Sequence, residues 1–363
     1  MFGSIQGVMS EHLCMAFLTP AIYFIIKYKD WYWVGLAGLL MGISIMVKLN
    51  MAYTILFLGL YLIYYFIKRK HYGKGILSVT LYGLGIILII LLSLLPYYHQ
   101  GLQELWWKSV FVAPLDYASA RRYSIFKLMP HFLTIALFFF LAWKKGWLDF
   151  KNTSVQILLV AILGVLYSFF KGGRINSHYL IQLHPILIIL VGVVLSKLVV
   201  QWNLKWRKSY LILLLLLPAE SYLEYYNVIK HKLERGSFYN GEGITAAQYI
   251  KENNIPKNNI LFTEYHIGYW MLDEKPPTKA ATHPSNICKS EMFKAYDNPR
   301  TTAMQELRYI MEELKPQSLV AREKRLFFDK EQVEANAYLK NYLATHYKLT
   351  ATVDKAEIYT RLK

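Results

Sequence analysis

Ionisable side chains that sit in or beside long apolar runs are costly, so each of them is a candidate for chemistry. The densest group is Lys171-Gly172-Gly173-Arg174-Ile175-Asn176-Ser177-His178-Tyr179-Leu180-Ile181-Gln182-Leu183-His184-Pro185. On a continuous helix Arg174, His178 and Gln182 fall at i, i+4 and i+8 and share one face. A guanidinium there suits bidentate binding of a phosphate, and the imidazole and amide add hydrogen bonds. The bland alternative is a boundary helix with ordinary polar first turns. The number of polar groups on or beside one face favours function. His184 lies deeper and reads as a packed histidine. Lys48 ends an apolar helix that carries Gly35, Gly38 and Gly42; its alternative is a lysine snorkelling to the interface. Glu11 stands just before a short apolar run, where an acid also complements a helix dipole. A third group is the loop from His99 to Lys127, with Glu104, Trp106, Trp107, Asp116, Arg121, Arg122 and Tyr123. Arg121 and Arg122 fit a lipid phosphate or the charged membrane surface, and the tryptophans fit a sugar or, more commonly, the headgroup region.

These residues need elements to hold them, and the composition says what kind. The chain is 55% hydrophobic with a formal charge of +17, too apolar for an ordinary soluble protein of its length. Residues 1–235 hold 23 Lys/Arg against 8 Asp/Glu, and residues 236–363 hold 18 against 16. The excess therefore lies in short clusters between apolar runs, where basic residues orient a membrane protein. A nucleic-acid surface is excluded on the same ground. Cys14 and Cys288 are far apart and offer neither a disulfide framework nor a CxxC site.

A helix crosses the hydrocarbon layer with roughly 20 apolar residues. Runs of that kind are 49–67, 75–98, 152–170 and 175–196; 128–143 is shorter and 13–26 shorter still. The stretch 31–67 is about twice the length that a bilayer accepts, so it reads as two spans with a tight turn at Lys48-Leu49-Asn50. Residues 206–226, flanked by Trp202, Trp206, Tyr222, Tyr225 and Tyr226, complete a set of eight. Loops then alternate in charge. Lys27/Lys29, Lys68/Arg69/Lys70/Lys74, Lys144/Lys145/Lys151 and Lys197/Lys205/Arg207/Lys208 mark the cytoplasmic side. The tail falls outside, and by parity so does Met1, which leads to the expectation that one or more helices precede this sequence. All three candidate groups lie on the outer face.

The tail, 236–363, is patterned as α/β. Residues 245–252, 302–314 and 336–346 read as helices, with Met304, Leu307, Ile310, Met311 and Leu314 on one face of the second. Residues 259–263 and 318–321 read as strands, and 347–353 with 356–362 as a hairpin about Asp354-Lys355. The expected fold is thus an α-helical multi-span membrane bundle of about eight helices, 1–235, followed by a small extracytoplasmic α/β domain, 236–363. The tail holds no GxGxxG, Walker, HExxH or nucleophile-elbow motif and reads as an accessory or recognition module. No pair of metal ligands stands out, and a divalent cation is the one cofactor left open.

At these residues the chain resembles the polyprenyl-phosphate-sugar-dependent glycosyltransferases of the GT-C fold, which include protein O-mannosyltransferases and the lipid A aminoarabinose transferases. Met9-Ser10-Glu11 is similar to that family's outer-face acidic position, and 35–48 to its glycine-bearing helix ending in lysine. The most specific piece is Arg174-x-x-x-His178-Tyr179-x-x-Gln182-Leu183-x-Pro185. In the tail the likeness continues through Tyr269-Trp270-Met271-Leu272, Lys275-Pro276-Pro277-Thr278-Lys279 and Ile358-Tyr359-Thr360-Arg361. The resemblance implies an inner-membrane enzyme whose partners are a polyprenyl-phosphate-linked sugar, membrane lipids and an acceptor protein or glycolipid. It implies that Lys48, Arg121, Arg122, Lys171, Arg174, His178, Tyr179 and Gln182 bind the lipid phosphate or donor, with Glu11 in support. The family's catalytic aspartate, between its first two helices, has no counterpart in this sequence. Two other readings compete: a transporter or flippase of lipid-linked sugars, with polar groups at the midplane and repeated halves, and a non-catalytic membrane scaffold that displays the tail.

Overall fold

The computed structural model describes residues 10–27, 30–120, 125–172, 177–203, 219–238 and 241–362. It separates into two compact units, 1–222 and 223–363, and is mostly helical.

The first unit contains α1 (Ser10–Lys27), α2 (Trp31–Val47), α3 (Met51–Lys68), α4 (Tyr72–His99), α5 (Gln103–Trp107), α6 (Ala113–Ala120), α7 (Ile125–Lys144), α8 (Thr153–Gly172) and α9 (His184–Gln201). A helix α10 (Ala219–Arg235) contains the division between the units. Among the described residues four helices are long and apolar enough to cross a membrane: α3, α4, α8 and α9. They coincide with the expected runs 49–67, 75–98 and 152–170 and with most of 175–196. Helix α2 and residues 132–144 of α7 are apolar but shorter. Of the expected 206–226 span, residues 206–218 lie outside the described residues. Helices α4 and α9 turn Ile76, Leu84, Leu88, Leu91, Leu95, Ile188 and Leu195 outward, all exposed. A soluble protein rarely shows such a surface, and a lipid-facing helix requires one.

The expected turn is present: α2 ends at Val47, Lys48 is extended (φ −152°, ψ 105°) and α3 begins at Met51. Lipid provides no hydrophobic drive between helices, so close backbone approach through small residues has to supply the packing. Here α2 meets α4 through Gly38 and Gly85. A Cβ on Gly85 would stand 2.8 Å from the Leu39 nitrogen and 2.9 Å from the Gly35 oxygen, and one on Gly38 would run into the Tyr82 carbonyl. The buried Tyr82 then donates its hydroxyl to the Ile55 carbonyl at 2.7 Å and joins α4 to α3.

The expected continuous helix through Arg174, His178 and Gln182 is not formed. Residues Ser177–Gln182 are a 3-10 turn, and α9 starts afresh at His184. Pro185 stands in the first turn of α9, where a missing N–H is tolerated, and it has no N–H to donate to the Ile181 carbonyl. Residues 173–176 lie outside the described residues. With three residues per turn, the 3-10 geometry aligns Tyr179 with Gln182 instead.

The second unit follows with α11 (Glu242–Glu252), β1 (Leu261–Phe262), α12 (Ile267–Leu272), α13 (Ala303–Arg308), β2 (Ser318–Arg322), α14 (Val333–His346), β3 (Tyr347–Val353) and β4 (Ala356–Arg361). Its sheet has the order β1-β2-β4-β3, with β1 parallel to β2 and the other pairs antiparallel. Alternation sends neighbouring residues to opposite faces. Leu261 and Leu319 pack with Leu307, Ile310, Leu339 and Leu343, whereas Phe262, Val320 and Ile358 pack with Ala246, Ile250, Tyr269 and Leu272. The unit is therefore a mixed sheet with helices on both sides. The hairpin turns at Asp354, whose φ of 54° is left-handed. Between α12 and α13 the chain makes short 3-10 turns pinned by Glu306. That carboxylate is fully buried and takes hydrogen bonds from Thr278 Oγ1 at 2.6 Å, from Asn298 Nδ2 at 2.8 Å and from Arg300 Nε.

Candidate functional site

The break between α2 and α3 is the centre of the site. Because Lys48 is extended and not helical, its side chain leaves the helix axis and meets α1 and the 3-10 turn. Its Nζ forms an ion pair with the Glu11 carboxylate in the first turn of α1. The same ammonium lies 4.3 Å from the centre of the Tyr179 ring. Tyr179 in turn stacks on Phe169 of α8, with ring centres 6.2 Å apart and planes at 23°. Glu11 is 2% exposed and the Lys48 side chain 18%.

Two residues further on, Asn50 donates from Nδ2 to Gln182 Oε1 at 3.1 Å and lies at 3.5 Å from Ser168 Oγ. Ser168 itself donates to the Val165 carbonyl at 2.7 Å, and Ser44 ties α2 to α1 by donating to the Cys14 carbonyl at 3.1 Å. Among the described residues one acceptor and one donor in this cluster lack partners, Asn50 Oδ1 and Gln182 Nε2, both buried. Exchanging amide oxygen and nitrogen merely swaps which residue holds which. A buried donor and acceptor side by side suit a water molecule or a polar ligand group, because leaving them unmatched is costly.

Electrostatically the site is a nearly neutral ion pair whose cation keeps 18% of its side chain exposed. A carboxylate this buried requires its cation, and the aromatic face adds to the attraction on the ammonium. Lys48 carries three N–H donors, so a bond to Glu11 leaves it able to bind a second anion. Arg121, Arg122 and Arg174 lie outside the described residues, and nothing is assigned to the His178 side chain. Lys171 is exposed at the end of α8 and has no hydrogen bond or ion pair with another described residue. The tryptophan pair divides: Trp106 is buried and donates from Nε1 to Ser93 Oγ of α4 at 3.2 Å, whereas Trp107 is 56% exposed. Trp106 is therefore a packing residue. Among the described residues no group of three or more His, Cys, Asp or Glu could hold a metal ion.

Sequence reasoning selected Glu11, Lys48, Tyr179 and Gln182, and the structure brings these four together. It missed Asn50 and Ser168. The position of Asn50, in the turn that Lys48 opens, was the available signal for the first; a serine inside an apolar helix gives none for the second. No protein-family model matches the chain, and comparison with curated proteins and with solved structures finds no match.

Proposed function

We propose that this chain acts as a membrane glycosyltransferase, moving a sugar from a polyprenyl-phosphate donor to an acceptor protein or glycolipid at the extracytoplasmic face of the inner membrane. The observation that supports the reading is the meeting of Glu11, Lys48, Tyr179 and Gln182, four residues that carry the family resemblance, beside a break in the helices. The frame that goes with it is a bundle of eight crossings with the second unit outside, as the alternation of basic loops implies.

In this reading the lipid phosphate is a good leaving group, and the chemistry needs a cation on it more than a general acid. Lys48 takes the phosphate oxygens with its remaining N–H groups, and Glu11 and Tyr179 hold the ammonium in place. Asn50 and Gln182 offer a donor and an acceptor to the sugar or to a bridging water. Arg174, His178, Arg121 and Arg122 belong to the same proposal as further phosphate or donor contacts. The acceptor attacks the anomeric carbon, the C–O bond to phosphate breaks with inversion, and the polyprenyl phosphate departs with the electron pair. The base that removes the acceptor proton is not assigned to a residue.

The test is retention of a polyprenyl-phosphate sugar by the full chain in nanodiscs, read by native mass spectrometry. Lys48→Ala is expected to weaken retention at least tenfold, and Lys68→Ala to leave it unchanged. Equal retention by the Lys48 variant overturns the assignment.

A further inference from the structure

A second crevice, in the other unit, stands apart from this chemistry. It lies at the carboxyl ends of β1 and β2, the parallel pair of the sheet. The segment leaving β1 enters α12, which packs on the face of Phe262 and Val320. The segment leaving β2 runs through 323–332 into α14, which packs on the face of Leu261 and Leu319. Parallel neighbours whose outgoing segments turn to opposite faces leave a gap at their carboxyl ends, and open α/β sheets take their ligands there. The gap has a volume of about 660 Å³ and is lined by Thr263 and Glu264 after β1, by residues 324–330 after β2, and by His283. That volume suits a small molecule.

The lining has a definite chemistry. Lys324, Arg325 and Lys330 line the gap beside the carboxylates of Glu264 and Asp329, and Lys324 is paired with Glu323 at 2.8 Å. Glu264 is already satisfied by Arg322, at 3.3 Å, and by Arg325. Lys330 is exposed and has no hydrogen bond or ion pair with another described residue. Phe327, half-buried, forms an apolar wall beside the buried Phe328. Thr263 and His283 add neutral hydrogen-bonding groups. Desolvation, with His266 and Lys289 nearby, lowers the proton affinity of the His283 imidazole.

We infer that this crevice binds an anionic saccharide, a sugar bearing a phosphate or a carboxylate, with Lys330 and Arg325 on the charge and Phe327 against the apolar face of the ring. A carbohydrate ring has just such a split surface, with C–H groups on its faces and hydroxyls around its edge. Occupancy of the crevice does not depend on transfer from a lipid donor, so the proposal stands or falls apart from the one above.

The experiment is calorimetric titration of the full chain in nanodiscs with glucose 1-phosphate, galacturonate, glucose and inorganic phosphate. At least one of the two charged sugars is expected to bind, with glucose and inorganic phosphate at least tenfold weaker. Lys330→Glu, at an exposed side chain with an unchanged melting temperature, is expected to weaken that binding at least tenfold. Lys348→Glu on β3 and Lys48→Ala are expected to leave it unchanged. Binding of inorganic phosphate as tightly as the charged sugars would make this a simple anion site. Glucose binding equally would remove the role of charge, and silence from both charged sugars, or indifference to Lys330→Glu, would remove the site. Each of these results overturns the proposal.

Discussion

Two buried glutamates, one in each unit, show how differently the same side chain can be used. Glu306 in the second unit is fully buried and receives Thr278, Asn298 and Arg300. Its cation also lies against an aromatic ring, with the Arg300 guanidinium 3.9 Å from the centre of the Tyr309 ring. Glu11 in the first unit is nearly as buried and has its own cation and its own aromatic ring, through Lys48 and Tyr179. The difference lies in what surrounds the pair. Donors and acceptors around Glu306 are matched, and the cluster pins a run of turns to α13. Beside Lys48 a buried donor and acceptor, Gln182 Nε2 and Asn50 Oδ1, have no partner among the described residues. A matched cluster serves the fold; a cluster with capacity left over is equipped for a ligand.

The largest effect expected from this contrast is on Glu306. Glu306→Ala strips Arg300, Asn298 and Thr278 of their common acceptor and leaves the guanidinium, 21% exposed, without its carboxylate. Removing one partner from a buried pair costs on the order of 3–5 kcal/mol, and the partial exposure of Arg300 places this case near the lower end. Hydrogen exchange across 275–310 is the direct measurement, and it should lose protection while polyprenyl-phosphate retention in the first unit stays unchanged. Protection equal to that of the parent chain would mean that the cluster does not pin the turns.

Glu11→Gln should behave in the opposite way. The substitution keeps the shape but removes the charge, and Lys48 keeps access to water through its exposed fraction. The stability cost should be smaller, roughly 1–3 kcal/mol for a hydrogen-bonded group left poorly matched. The local charge rises by one, however, and an anion close to Lys48 is then attracted more strongly. Retention of a polyprenyl-phosphate ligand should tighten at least threefold, measured as for Lys48→Ala. If Glu11→Gln instead abolished retention, the charge of the carboxylate, and not its shape alone, would be needed to hold Lys48 in place, and its role would move towards that of Glu306.

The two glutamates also mark the limit of what the sequence conveys. Glu11 was selectable because a charge beside an apolar run is conspicuous. Glu306 was not, because one acid on an amphipathic helix reads as part of its solvated face, and its partners come from positions 278, 298 and 300 on separate turns. Most elements were legible for physical reasons of similar plainness. The break at Lys48-Leu49-Asn50 follows from an apolar run too long for one crossing, and the strands and hairpin of the second unit follow from their period of two. The helical face through Arg174, His178 and Gln182 failed because 177–182 wind as a 3-10 turn and a new helix begins at His184, with Pro185 in its first turn. Trp106 shows a different limit: whether an indole in a loop packs or faces a ligand depends on Ser93, on a separate helix.

The smallest expected effect concerns pH and again separates the units. His283 lines the crevice of the second unit, and desolvation, followed by His266 and Lys289, lowers its proton affinity in the folded chain. A histidine whose folded pKa lies below its unfolded value contributes nothing above the unfolded pKa of ~6.5, where both states are neutral. As pH falls through that value the unfolded chain takes up the proton first, so stability declines towards acid. Because the side chain is exposed, the decline should be modest. Between pH 7.5 and 5.5 hydrogen exchange around 263–290 should accelerate, and His283→Gln should flatten that dependence without altering protection near Lys48. A His283→Gln chain with the same acid sensitivity as the parent would assign the response to another group. Loss of protection in both units together would mean that they do not titrate independently, and the contrast between a matched cluster and one left open would then need a coupling between them.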